Sequence, residues 1–273
     1  MPRRSRRKKG SADGLRGLLL TFLGLLLIGA FVGGYWWVQH TRPVLDAETN
    51  CPLSGPTAVH AILFDRSDPI TDQQAQRIRQ TIDRYKQDAS FGSRFDIYTF
   101  EGDTTHVLKP KLVICTLGKP DAANPWIENP EQIRKSYETK FAAVLDQVVE
   151  DLLRASRQNS SPIIESLRAA SITSFGAFDA GRLPLRLTMV SDMVQHTALS
   201  SHFQAEPNFP ALSHSNLWPT LQPQLKGAEV NILYLLRPTA VRGKVSIQNR
   251  GHQAFWEQLV AGSGGRLIAV EPL

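Results

Sequence analysis

The chain has 273 residues, a formal net charge of +6 and a sequence pI near 9.5. Of its 31 Lys and Arg and 25 Asp and Glu, seven basic residues and one acid fall within residues 1–16, which leaves 24 of each sign after them. The basic pI therefore belongs to a tail, and a basic nucleic-acid-binding face is excluded as its origin.

The tail (Arg3, Arg4, Arg6, Arg7, Lys8, Lys9, Arg16) is followed by "GLLLTFLGLLLIGAFVGGYWWV", residues 17–38, without one charge. At about 1.5 Å per residue this stretch makes roughly 33 Å of helix, enough to cross a hydrocarbon core of about 30 Å. Tyr35, Trp36 and Trp37 end it, as interfacial aromatics do. A cleaved signal peptide also starts basic and turns apolar, but its apolar run is shorter and ends in small residues. The segment reads as an uncleaved transmembrane anchor. The excess of positive charge before it orients residues 1–16 to the cytoplasm and the rest to the outside, so the expected location is the inner (cytoplasmic) membrane with a periplasmic or extracellular domain. Gly29 and Gly33 form a GxxxG pair, an option for a homo-oligomer and no more, since glycine is common in membrane helices.

Residues 39–57, with Pro43, Pro52, Gly55 and Pro56, read as a linker, and residues 58–273 as one domain. Within it, 58–64 "AVHAILF" predicts a strand buried on both faces, and 72–87 a helix with Ile78, Ile82 and Tyr85 on one side. Strands are expected over 94–100 and 111–117, a long helix over 129–156 with Pro130 in its first turn, and a shorter one over 161–173. Strands 185–190 and 229–236, helix 252–264 and strand 266–271 complete the chain. The alternation predicts a three-layer α/β fold, a mostly parallel doubly wound sheet between helices. The ten residues between strands 94–100 and 111–117 are too few for a parallel crossover, so that pair is expected to be an antiparallel hairpin at a sheet edge.

The two cysteines, Cys51 and Cys115, both fall on the expected outer side, where a disulfide is permitted. Cys51 precedes the first strand and Cys115 ends another. Their expected placement at opposite ends of the sheet leans against a bond, and the sequence leaves the pairing open.

Ligands of open α/β sheets bind beyond the carboxyl ends of the strands. Three polar knots fall there: Asp65-Arg66-Ser67-Asp68, Ser160-Ser161-Pro162 and Ser191-Asp192. Two carboxylates with hydroxyls suit a hard cation such as Mg²⁺. Each knot also has a plain structural use. Ser161 could cap the helix after it, Asp65 or Asp68 could cap the helix after the first strand, and Asp192 could hold a turn.

At these residues the chain resembles a von Willebrand factor A-type domain, the fold of the integrin I domains, here in a membrane-anchored, bacterial-type setting. Its adhesion site begins with Asp-x-Ser-x-Ser, and this chain has Asp65-Arg66-Ser67-Asp68-Pro69. The family supplies a Thr before a helix, where "SPIIESL" offers Ser161, with Ile163, Ser166 and Leu167 following the pattern. An Asp ends the fourth strand, as Asp192 does after Ser191. The resemblance covers roughly residues 58–271 and implies a metal site of Asp65, Ser67, Ser161 and Asp192. Pro69 stands where the second Ser is expected, and Asp68 or Thr71 would be the substitute. The implied cofactor is Mg²⁺, or Mn²⁺ or Ca²⁺, and the implied partner is a protein offering an acidic residue to the ion in an envelope-associated assembly.

Two other classes compete. In a structural subunit the metal site would be degenerate, with contacts made by Phe203, Phe209, Leu212, Leu217 and Trp218 of the polar segment 197–223, unless these pack as core. The other is a metal-dependent phosphatase-like hydrolase. "LFDRSDP" resembles the Asp-x-Asp of haloacid-dehalogenase phosphatases, but position 67 is Ser and the second carboxylate is absent. No GxSxG, HExxH or GxxxxGK[ST] motif is present. His196, His202 and His214 share one segment without matching a zinc spacing. The expectation is a non-enzymatic protein that binds no nucleic acid.

Overall fold

The computed structural model describes residues 10–41, 43–67, 69–100, 108–122, 128–154, 160–178 and 181–273. It divides into two compact units, one ending at Val44 and one spanning Leu45–Leu273. Among the described residues, the first contains one helix, α1 (Gly10–Thr41). Its segment Gly14–Trp37, of mean hydropathy 2.2, is long and apolar enough to cross a membrane by length and composition.

The second unit is built on β1 (Ala58–Asp65), α2 (Asp72–Asp88), β2 (Ser93–Phe100) and β3 (Leu112–Cys115). After these come α3 (Pro130–Tyr137), a π-helical turn (Glu138–Ala142), α4 (Ala143–Leu153), α5 (Ile163–Phe175) and β4 (Leu185–Ser191). Short helices α6 (Phe209–Ser213) and α7 (Trp218–Leu221) precede β5 (Glu229–Tyr234), a small hairpin β6 (Val241–Arg242) and β7 (Val245–Ser246), α8 (Arg250–Gly262) and β8 (Arg266–Pro272). The six-stranded sheet has the order β3-β2-β1-β4-β5-β8. All neighbours are parallel except β2 and β3, an antiparallel pair with β3 at the edge, as the short connection requires.

Alternation along β1 divides the core. Val59, Ala61 and Leu63 face one layer, where they meet Ile163, Leu167 and Ala170 of α5 and Phe255, Trp256 and Leu259 of α8. Ile62 and Phe64 face the other, against Ile78 and Ile82 of α2 and Leu145 and Val149 of α4. Helix α2 starts on a capping box. Thr71 accepts from Gln74 N, and the Gln74 side chain returns to Thr71 N. The long helix predicted over 129–156 is interrupted by its π turn, where Asn50 Nδ2 donates to Lys140 O at 3.1 Å. Residues 155–159 lie outside the described residues.

Residues 45–57, inside the predicted linker, are structured. Leu45 bridges Pro52, the Asp46 carboxylate accepts from Thr49 N and Oγ1, and Cys115 N donates to Thr49 O. Cys51 and Cys115 form a disulfide with their Cα atoms 4.8 Å apart, correcting the expectation that they lie at opposite ends of the sheet. The reason is the direction of β3. Because it runs antiparallel to β2, with Cys115 opposite Arg94, its last residue returns to the amino edge where the chain enters β1.

Candidate functional site

The chain leaves β1 outward to β2 and β3, then comes back to β4 on the other side of β1. The crevice at such a reversal, beyond the carboxyl ends of the two strands, is where open α/β sheets hold ligands. Here it falls between Asp65 at the end of β1 and Ser191-Asp192 at the end of β4.

Asp65 is the hub. It is 4 % exposed. Its Oδ2 accepts from Ser161 Oγ at 3.0 Å and from Ser191 Oγ at 2.7 Å, and its Oδ1 accepts from Ser67 N at 2.9 Å. Three loops thus meet on one carboxylate. The parallel register puts Phe64 beside Val190, so the next residues, Asp65 and Ser191, are neighbours.

Ser161 does not cap α5. It lies two residues before the helix and pairs with His196 through two backbone hydrogen bonds of 2.9 Å. The cap comes from Gln195, whose Oε1 accepts from Ile164 N at 3.0 Å. Its Nε2 donates to Glu165 at 2.8 Å. Ser161 is left with its hydroxyl on Asp65.

Asp192 is 6 % exposed, and its Oδ1 accepts from Val194 N at 2.8 Å, so it does hold a turn. The following residue, Met193, has a φ of +60°, a left-handed conformation that a non-glycine side chain adopts at some cost. It is held by Met193 N donating to Ser191 Oγ (2.8 Å) and by Trp256 Nε1 donating to Met193 O (3.0 Å). Gln248 Nε2 reaches both Asp192 O and Leu235 O, each at 2.9 Å. Behind this loop a buried chain runs from Tyr234 OH to His252 Nδ1 (2.6 Å) and from His252 Nε2 to His202 Nδ1 (3.1 Å). Burial pushes the Tyr234 phenol up, and the charge of Asp192 adds to the shift.

Of the residues expected at the site, Asp65, Ser161 and the backbone of Ser67 meet directly, while Asp192 stands one residue beyond Ser191. Thr71 is engaged as the α2 cap, and Asp68 lies outside the described residues. A carboxylate ringed by hydroxyls suits a hard, oxygen-seeking cation better than a soft one, so the donor set fits Mg²⁺ in kind. Among the described residues, no group of three or more His, Cys, Asp or Glu is placed to hold a metal. His196, His202 and His214 take separate partners in Ser201, His252 and Pro210 O. Sequence reading missed Gln195, Gln248 and Trp256. It had Ser191 in view only as the neighbour of Asp192, although the β1–β4 register makes it the residue beside Asp65.

No family model matches the chain, and no curated protein matches it. Among solved structures, the chain is similar to an aerotolerance-related membrane protein from Bacteroides fragilis, at 13% identity and a TM-score of 0.36 over 79% of this chain and 92% of that one. It is also similar to the human COPII-coat protein Sec24c, at 10% identity and a TM-score of 0.39 over 80% of this chain and 30% of that one.

Proposed function

We propose that this chain is a single-pass, membrane-anchored protein-binding module of the von Willebrand factor A type. In this reading residues 1–16 are a cytoplasmic tail, residues 17–38 span the inner membrane, and the domain from the linker onward lies outside. It docks an acidic partner within an envelope-associated assembly. The observation that carries the reading is the convergence of Ser161, Ser191 and Ser67 N on Asp65 at the sheet's reversal point, with Asp192 in the adjoining turn. The Cys51–Cys115 bond supports an oxidising, non-cytoplasmic location for the domain.

Asp65, Ser67, Ser161 and Asp192 would hold Mg²⁺, Mn²⁺ or Ca²⁺. The ion would supply a positive centre able to accept one carboxylate oxygen from a partner. The chain's own residues do the rest. Ser191 and Ser161 orient the Asp65 carboxylate, and Gln248 and Trp256 fix the backbone that carries Asp192.

The test is thermal unfolding of the full chain in detergent micelles, in millimolar Mg²⁺ or Mn²⁺ against EDTA. A ligand held only by the native state adds about 2.7 kcal/mol at a hundredfold excess over Kd. The expected result is a rise in Tm with metal that disappears in the Asp65→Ala, Asp192→Ala double variant. No shift in the parent sinks the metal-centred reading. A second reading, a structural subunit with a degenerate site, then takes its place. It is favoured by Pro69 at the expected ligand position and by the bonds the Asp65 carboxylate already accepts.

A further inference from the structure

At the other end of β1 from Asp65, α2 ends beside the amino ends of β1, β2 and β4. A cleft of about 300 Å³ opens there, lined in part by His60, Tyr85, Arg186 and Asn231. His60 and Asp65 are five residues apart on one strand, roughly 17 Å, so the cleft is separate from the candidate metal centre.

The polar groups at its base have fixed directions. Thr188 Oγ1 donates to Tyr85 OH at 3.2 Å. A hydroxyl has one proton, so in its 2.9 Å contact with His60 Nε2 the threonine accepts, and Nε2 carries the hydrogen. His60 is 6 % exposed, and burial, aided by the charge of Arg186, holds its pKa at about 3, so the ring is neutral. Its Nδ1 is then a bare acceptor, open to the cleft and without a partner among the described residues. The Tyr85 oxygen takes the Thr188 hydrogen and a second from the Asn231 side chain, so its own O–H points elsewhere. Burial pushes this phenol up, so the proton stays on it. The two rings lie 4.5 Å apart, which sets one acceptor beside one donor at the cleft.

The charges around the cleft are already balanced. Arg94 Nε is held by Asp96 at 2.6 Å, and Glu229 stands between Arg186 at 3.8 Å and Arg266 at 2.5 Å. Asp88, which also lines the cleft, makes three charges of each sign. An ion settling there would lose hydration without gaining a counter-charge, and an anion would also face the Nδ1 lone pair. A group that donates and accepts at once, a hydroxyl, matches the pair. One water would satisfy it, but the cleft has the volume of about ten.

We propose that this cleft binds a neutral, polyhydroxylated ligand of monosaccharide size, one hydroxyl of which donates to His60 Nδ1 while accepting from Tyr85 OH. The proposal does not rest on the function argued above, since no residue of the Asp65 centre takes part in it.

The experiment titrates the full chain, in micelles of a detergent without a sugar headgroup, with glucose, galactose, mannose, N-acetylglucosamine and myo-inositol, read by ligand-observed NMR. Millimolar binding of at least one is expected, unchanged by EDTA and weakened about tenfold or more in His60→Phe and in Asn231→Leu. The amino-sugar and uronic-acid counterparts of a hexose that binds should be weaker by a like factor. Thermal unfolding verifies that the variants fold. Asn231 is only half-buried, so its variant decides the matter where His60→Phe unfolds. No binding by any of the five, charged counterparts bound as tightly, or affinity indifferent to the folded variants overturns the proposal and leaves the cleft to water.

Discussion

Ser191 Oγ donates to Asp65 Oδ2 across 2.7 Å, from the strand next to the one that ends in the carboxylate. The same oxygen accepts from Met193 N, so one hydroxyl orients the hub of the site and holds the left-handed turn after it. Replacing it leaves Asp65 Oδ2 with Ser161 Oγ alone and takes the partner from the buried Met193 N–H. Ser191→Ala should therefore cost about 1–3 kcal/mol. Ser191 is outside the proposed ligand set, so most of the loss should be present in EDTA as well as in Mg²⁺, whereas Ser161→Ala should act chiefly by reducing the increment that metal adds. Denaturant unfolding of both variants in both buffers decides the assignment. A Ser191 effect confined to the metal-loaded state would make that residue a ligand.

Three buried histidines make stability depend on pH. Burial pushes His60 and His202 down to about 3, helped by Arg186 at the first and by His252 and Arg242 at the second. Burial lowers His252 to about 4, partly opposed by its bond to the Met193 backbone. His202 Nε2 is buried with no hydrogen-bond partner among the described residues, so none of them is placed to accept from a proton added there. Unfolded histidine titrates near 6.5, so below that pH the unfolded chain takes up protons that the native chain refuses. Stability should be fully present above about pH 7 and fall as pH drops from 6.5 toward 5, by up to about 1.4 kcal/mol per pH unit for each histidine. His60→Gln should shallow the slope by about one proton. A stability that stays flat between pH 7 and pH 5 would contradict the neutral, buried state of these rings.

The Cys51–Cys115 bond closes a loop of 64 residues that contains β1, α2 and β2. In the chain-entropy account such a loop stabilises the native state by about 4 kcal/mol. Cys51→Ser with Cys115→Ser should lower Tm by about 10 °C. Asn50 Nδ2 should then no longer be held against Lys140 O, because its neighbour Cys51 is released. Hydrogen exchange over residues 45–57 reads that release directly. Faster exchange in the variant is expected, and unchanged exchange would mean that the Asp46 turn alone secures the segment.

How far the sequence carries the fold can be seen at β3. The ten residues before it are too few for a crossover, which correctly predicts an antiparallel edge strand. The same inference, followed through, returns Cys115 to the amino edge and within reach of Cys51. The pairing is therefore legible in the sequence once the direction of β3 is carried through to its last residue. At the site, Asp65 and Ser191-Asp192 stand out because each ends an apolar run, and Ser161 because it stands just ahead of a helix. Gln195, Gln248 and Trp256 carry no such pattern. Their roles exist only because α5, β5 and α8 bring distant segments together, and a lone Gln in a loop reads the same whether or not it caps a helix. The large apolar residues of 197–223 divide in the same way. Phe209 and Leu212 of α6 and Trp218 of α7 pack on the core, while Phe203 and Leu217, outside both helices, stay exposed.

Gln248 offers the sharpest test of how the Asp192 turn is held. Its Nε2 donates to Asp192 O and Leu235 O, and its Oε1 accepts from Arg237 N at 2.6 Å. One amide thus ties the ends of β4 and β5 to the segment that enters α8. Gln248→Ala removes all three bonds and should cost about 2–4 kcal/mol. Gln248→Glu keeps the shape and the acceptor but replaces the donor with a carboxylate facing two carbonyls near the charge of Asp192. It should therefore be less stable than the alanine variant at pH 7. The glutamate's pKa is raised in the folded state by those neighbours, so its penalty is fully present above the raised value. It is relieved as pH falls toward the unfolded value of about 4.3. The stability difference between the two variants, rather than either alone, cancels the contribution of the buried histidines. That difference should narrow from pH 7 to pH 5. A glutamate variant as stable as the parent at neutral pH would show that the two carbonyls do not depend on this amide.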